Sequence, residues 1–236
     1  FSEFNINLGT TELYSTNPAA GTTYWLPNGV NSYGNLILSP LGGSNIIFPN
    51  NDLLIYGNLI TRGQNADSWF CPTWNVNYPT APTVRVPKTI TVNGDMDIQG
   101  GALVWYGNGA IDQDIVVYGD VITREDAAIY AWAISTANTL SVGGSLINNT
   151  NNSVAPFGTV SQINLRRGGS GRCDLIFFGS NNGSLTNTLN TPTTRLNNVT
   201  INKGNSQSST LTIDVTGTLD ILTDNWLTMQ NGTLRY

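Results

Sequence analysis

The chain contains no histidine. That removes Ser–His–Asp and Cys–His nucleophilic centres and every histidine metal site, because each needs an imidazole as base or ligand. Charge is also scarce. Asp, Glu, Lys and Arg make up 11% of the 236 residues, against roughly 25% in ordinary globular domains. The ten Lys and Arg residues are scattered and the net charge is −5. No basic stripe remains for a phosphate backbone, so nucleic acid is not an expected partner. No apolar run approaches the roughly 20 residues of a membrane-spanning helix, and no window has the form of a secretory signal. The expectation is a mature exported protein that does not itself span a membrane, located outside the cell or on a bacterial surface. The two cysteines, Cys71 and Cys173, are far apart in sequence. A disulfide between them and two separate buried thiols are both open readings, since a bridge needs Cα atoms within about 7 Å.

Asn, Thr, Ser and Gly take the place of the missing charge. They give an uncharged polar surface rich in turn formers, as in extracellular β-solenoids. The central feature is a repeat. Thr89–Ile98, Asp114–Ile122 and Thr139–Ile147 follow one template: alternating apolar residues, a Val, a spacer, a Gly, a small polar residue and another apolar residue. Gly94, Gly119 and Gly144 are spaced by 25 residues, and Leu53–Ile60 fits the same template around Gly57. Fixed spacing implies a solenoid. Alternation of period two, with Val, Ile, Thr and Tyr, implies strands. Stacking such coils about 4.8 Å apart makes ladders of inward Ile, Val and Leu. The predicted fold is an all-β parallel β-helix with coils of about 25 residues. A right-handed helix is favoured, because left-handed hexapeptide helices have a shorter and stricter repeat. The repeated Gly is expected at a sharp corner, where positive φ is often needed.

The chain divides accordingly. Residues 1–34 show no clear repeat and read as an N-terminal cap or irregular first coil. Residues 35–236 read as the helix, with residues 62–87 as a projecting loop. That loop holds Trp69, Phe70, Trp74 and Tyr78 and several prolines, which are excluded from ladder interiors. Trp105 and Trp132 are expected at about the same coil position. The 73 residues from Gly144 to Gly217 read as close to three coils. The pattern is still running at Tyr236, so the polypeptide is expected to continue, or a partner to cover the end.

Three clusters bear on chemistry. A β-helical hydrolase needs paired carboxylates about 5–9 Å apart, and the candidate acids are Asp95, Asp97, Asp112, Asp114, Asp120, Glu125 and Asp126. Stacking in register places Asp95 beside Asp120 in a ladder of Asn58, Asp95, Asp120 and Ser145. Ca²⁺ would bridge two such carboxylates, whereas the plainer reading is turn residues bonding the local backbone. Trp69, Phe70, Trp74 and Tyr78 form a candidate carbohydrate-binding loop, with burial as a satellite core as the plainer reading. Arg166, Arg167 and Arg172 in a Gly-rich loop would hold an anionic glycan or a partner, or simply be a solvated turn.

Leu196–Asn202, Leu211–Ile213, Gly217–Leu219 and Asn231–Leu234, together with Ile90–Ile98, resemble the repeated grammar of large Bacteroidetes surface proteins. Those are adhesin-like cargo of the type IX secretion system, including gliding-motility adhesins. The resemblance spans about two thirds of the chain, and no C-terminal sorting domain is present in it. It implies a non-catalytic structural or adhesive segment of an exported surface protein. Secretion machinery, cell-surface anchoring proteins or polysaccharide would be its partners, and no cofactor beyond Ca²⁺ is implied. A polysaccharide lyase or hydrolase, or a carbohydrate-binding module, is the alternative.

Overall fold

The computed structural model describes residues 6–15, 22–27, 29–63, 68–73, 87–106, 113–132, 138–150, 162–167, 172–187, 194–221 and 225–236. Among them there is no helix. Every strand pairing is parallel, and the strands stack into about seven turns of a β-solenoid with three faces.

The first face stacks Ser32–Ser39, Leu53–Ile55, Lys88–Val92, Gln113–Val117, Asn138–Val142, Cys173–Gly179, Val199–Lys203 and Leu227–Asn231. The second stacks Ile6–Tyr14, the C-terminal half of Ser32–Ser39, Leu59–Thr61, Met96–Ile98, Val121–Glu125, Leu146–Thr150, Gly183–Asn187, Thr210–Val215 and Thr233–Arg235. Because Ser32–Ser39 crosses the corner without a break, it joins these two faces into one sheet. The third face stacks Thr23–Trp25, Asn45–Ile47, Trp69–Thr73, Ala102–Tyr106, Ala128–Trp132, Ile163–Arg167, Thr194–Arg195 and Leu219–Asp220.

Alternation along each strand produces the core. On the first face Leu53, Ile90, Ile115, Leu140, Leu175, Val199 and Leu227 are successive partners. On the second the ladder is Leu36, Leu59, Met96, Val121, Leu146, Leu185 and Ile213. On the third it is Ile46, Phe70, Leu103, Ile129 and Ile163. All but the terminal Leu227 are buried, and each such side chain contributes about 1.5–3 kcal/mol by leaving water.

Four expectations are corrected. Trp69–Thr73 is a rung of the third face and not part of a projecting loop; the ladder shifts register between Leu103 and Trp105, where Pro72 stands opposite. A bulge is a place where proline is admitted to a ladder. Residues 64–67 and 74–86 of the expected loop lie outside the described residues. Trp105 pairs with Ala131, and Trp132 pairs with Tyr106. One residue of register places them on opposite sides of the sheet: Trp105 is fully buried in the core, and Trp132 is on the outer side. From Leu146 the second face runs to Leu185 and then to Ile213, so the stretch after Gly144 is two enlarged coils and not three. Finally, none of Gly57, Gly94, Gly119 and Gly144 has positive φ.

Candidate functional site

The repeated Gly and the polar residue after it act together across coils. At this corner the nearby carbonyls are already engaged. Gly94 O accepts from Gly119 N at 3.0 Å, and Asp95 O turns back to accept from Leu59 N at 2.9 Å. The Asp120 N–H therefore meets no carbonyl in the coil before it. Asp95 Oδ1 accepts it instead, at 2.8 Å. The same bond recurs from Asn58 N to Asn35 Oδ1 at 2.8 Å and from Asp95 N to Asn58 Oδ1 at 2.8 Å. It continues from Ser145 N to Asp120 Oδ1 at 2.7 Å and from Ser184 N to Ser145 Oγ at 3.0 Å. An unpaired N–H costs about 1–3 kcal/mol where it is buried and less at these exposed to half-buried corners, and the recurring bond accounts for the Asn, Asp or Ser at each one. The acceptor crosses directly under the next glycine. A Cβ on Gly94, Gly119 or Gly144 would lie 2.1 Å from the Oδ1 of Asn58, Asp95 or Asp120. The glycines are required for this close approach.

Asp95 and Asp120 are thus neighbours, as the spacing predicts, but one oxygen of each is committed to the backbone of the following coil and not to its own turn. Among the described residues no group of three or more His, Cys, Asp or Glu lies together. The other candidate acids are dispersed. Asp97 pairs with Arg124 at 2.7 Å and accepts from Gln99 at 2.8 Å. Asp114 accepts from Thr139 Oγ1 at 2.6 Å. Glu125 is at a corner with φ of 52°, Asp126 follows it, and Asp112 lies outside the described residues.

The aromatic candidates separate. Phe70 is a core residue on the inner side of the third face. Trp69 is on the outer side, with ring centroids 5.4 Å from Tyr106 and 5.5 Å from Trp132. The planes are tilted by 58° and 45°, and the trio packs against buried Ile47, Cys71, Val104 and Tyr130. Tilted, half-buried rings are packed as a small second core, and they do not present a shared flat platform. Trp74 and Tyr78 lie outside the described residues. Arg166 and Arg195 both pair with Asp220; residues 168–171 and the Arg167 side chain lie outside the description.

Cys71 and Cys173 are free and buried, on the third and first faces respectively. The first face climbs four rungs from the coil of Cys71 to that of Cys173. Since Cys71 ends its coil, the offset along the axis is at least three rungs, about 14 Å. That is beyond disulfide reach, so the bridge reading is set aside.

The surface that the spacing did not single out is the outer side of the first face. One of its columns holds Tyr56, Asn93, Tyr118, Gly143, Phe178 and Asn202 in successive coils. Tyr56 and Tyr118 are 46% and 55% exposed. Tyr118 and Phe178 close over Gly143, edge to face, at 5.3 Å. Next to this column runs one of Thr91, Val116, Ser141, Ile176 and Thr200, and beyond that one of Thr89, Asp114, Thr139 and Asp174. At the N-terminal end of this strip Asn31, Asn51, Asp52, Leu54, Thr89 and Thr91 surround a cleft of about 410 Å³. The signal for this strip was present in the sequence as the spacer residues between the ladder positions. Comparison with family models, characterised proteins and solved structures finds no match to this chain.

Proposed function

We propose that this chain is a non-catalytic, rigid segment of an exported surface protein, serving as a stalk with an adhesive side. The observation that carries the reading is the corner ladder from Asn35 to Ser184. It commits the most regular polar residues of the repeat to holding coil on coil. Among the described residues, Asp114 and Asp174 share an outward column two coils apart, but each carboxylate is held by a neighbouring side chain, Asp114 by Thr139 and Asp174 by Asn197. The resemblance of the repeats to adhesin-like Bacteroidetes surface proteins supports the same assignment, with secretion or anchoring proteins as partners. The test is incubation of the chain with a panel of neutral and acidic polysaccharides, with and without Ca²⁺. The expected result is retention of polysaccharide with no new reducing ends and no unsaturated uronate absorbance. Release of either product would overturn the proposal in favour of a lyase or hydrolase.

A further inference from the structure

We infer that the cleft at the start of the first face is a binding subsite for a neutral glycan, a ligand class that rests on the adhesive reading above. Its polar rim is set by local structure. Asn51 Nδ2 donates to Asn31 Oδ1 at 3.0 Å and to Asp52 O at 2.8 Å, and Asp52 Oδ1 accepts from Thr89 N at 2.8 Å. These bonds fix the three side chains and use one end of each. Asn31 Nδ2, Asn51 Oδ1, Asp52 Oδ2 and the hydroxyls of Thr89 and Thr91 belong to residues lining the cleft and have no hydrogen-bond partner among the described residues. Two acceptors, one donor and two hydroxyls that can do either form a set suited to vicinal sugar hydroxyls, each of which both donates and accepts.

The floor is Leu54, whose neighbour in the next coil is Thr91. An aliphatic floor under a polar rim matches a pyranose, which has C–H groups on its face and hydroxyls at its edge. Tyr56, the residue just past the end of that strand and 46% exposed, is about 6.6 Å further on. It offers a ring on which the next sugar of a chain would stack. The volume of about 410 Å³ falls within the roughly 300–1,000 Å³ of small-molecule sites. Charge selects among glycans. Among the described residues of the lining Asp52 alone is ionisable, and the chain as a whole carries −5. A polyuronate or sulfated chain would bring like charge to a carboxylate, which is repulsive, while a neutral glycan meets no such barrier.

The test uses the full chain in affinity electrophoresis against a neutral β-glucan and a polyuronate. Thr91→Trp fills the cleft. Asp52→Asn keeps an oxygen for Thr89 N–H while turning the free acceptor into a donor. Thr200→Trp is the control, since Thr200 faces outward in the same column four coils on. The expected result is retardation of the wild type by the glucan and not by the polyuronate. Affinity should fall at least tenfold in Thr91→Trp and Asp52→Asn and be unchanged in Thr200→Trp, with equal unfolding midpoints. Full glucan affinity in both cleft variants, or preference for the polyuronate, would overturn the inference while leaving the adhesive reading intact. Release of sugar from the glucan would instead overturn that reading.

Discussion

A single glycine and the carboxylate beneath it make the sharpest test at the scale of residues. Asp95→Ala removes the acceptor for Asp120 N–H, with an expected cost at or below the lower end of the range of about 1–3 kcal/mol for a buried N–H, since this corner is half-buried. Gly119→Ala drives a Cβ to within 2.1 Å of Asp95 Oδ1 and 2.7 Å of Gly94 O, with an expected cost of about 1–3 kcal/mol from overpacking. If one side chain is the cause of both, the double variant loses less than the sum of the singles, because the Oδ1 that clashes is already gone. Chemical unfolding of the four proteins measures this coupling; strict additivity would show that the two residues act separately. The positions of these residues were legible in the 25-residue spacing. Their reason was not, because φ and cross-coil approach are properties of the stacked chain. The buried thiol Cys173 gives a second test. Burial, then Asp174 and Asp114, push its pKa well above the ordinary value of 9.0. The thiol therefore keeps its proton in the folded state at pH values where the unfolded chain releases it. Its contribution is fully present below pH 9 and is lost as pH rises from there toward the folded value. Cys173→Ala should accordingly lose less stability than the wild type between pH 8.5 and 10.5, as read from unfolding midpoints.

At the scale of elements the corners matter more than the strands. Counted between paired ladder residues, the corner from the first face to the second is Gly143–Ser145 in one coil, Phe178–Ser184 in the next and Asn202–Thr212 in the one after. A wider corner moves backbone donors away from the carbonyls of the preceding coil. Lys203, fully buried, fills that space: its Nζ donates to Gly143 O and, at 3.3 Å, to Gly144 O. Burial lowers its pKa, with Asp120 opposing. In the folded protein Lys203 gives up its proton earlier than in the unfolded chain. Stability attributable to it thus rises with pH, from the folded value up to the ordinary 10.5. The stability of the wild type minus that of Lys203→Met should increase with pH across that window, since the cysteine and tyrosine titrations are common to both; a constant difference would show that the ammonium is not desolvated. Sequence periodicity could not foresee this device, because it arises where the period fails. The same applies to Trp105 and Trp132: strand content was evident from composition, but one residue of register decides which ring enters the core, and Ala131 opposite Trp105 supplies the room.

For the whole molecule, a stack in which each coil touches only its neighbours behaves as a one-dimensional array. The stability of a coil then depends on whether it is covered on both sides. Leu140 lies in the middle of its ladder between Ile115 and Leu175 and is completely buried. Leu227 is the last rung of the same ladder and is only half-buried, with Met229 beside it 45% exposed. Leu140→Ala should therefore cost about 2–5 kcal/mol, the range for opening a cavity in a packed core. Leu227→Ala should cost well under half as much, since less area leaves water in the first place. Hydrogen exchange separates the two more finely than a melting curve. With Leu140→Ala, protection should fall in Ile115–Val117 and Leu175–Phe177, the rungs on either side, as well as in the mutated strand. With Leu227→Ala the loss should stop at Val199–Ile201. Equal loss of protection over the entire chain in both variants would mean that the coils unfold as one unit.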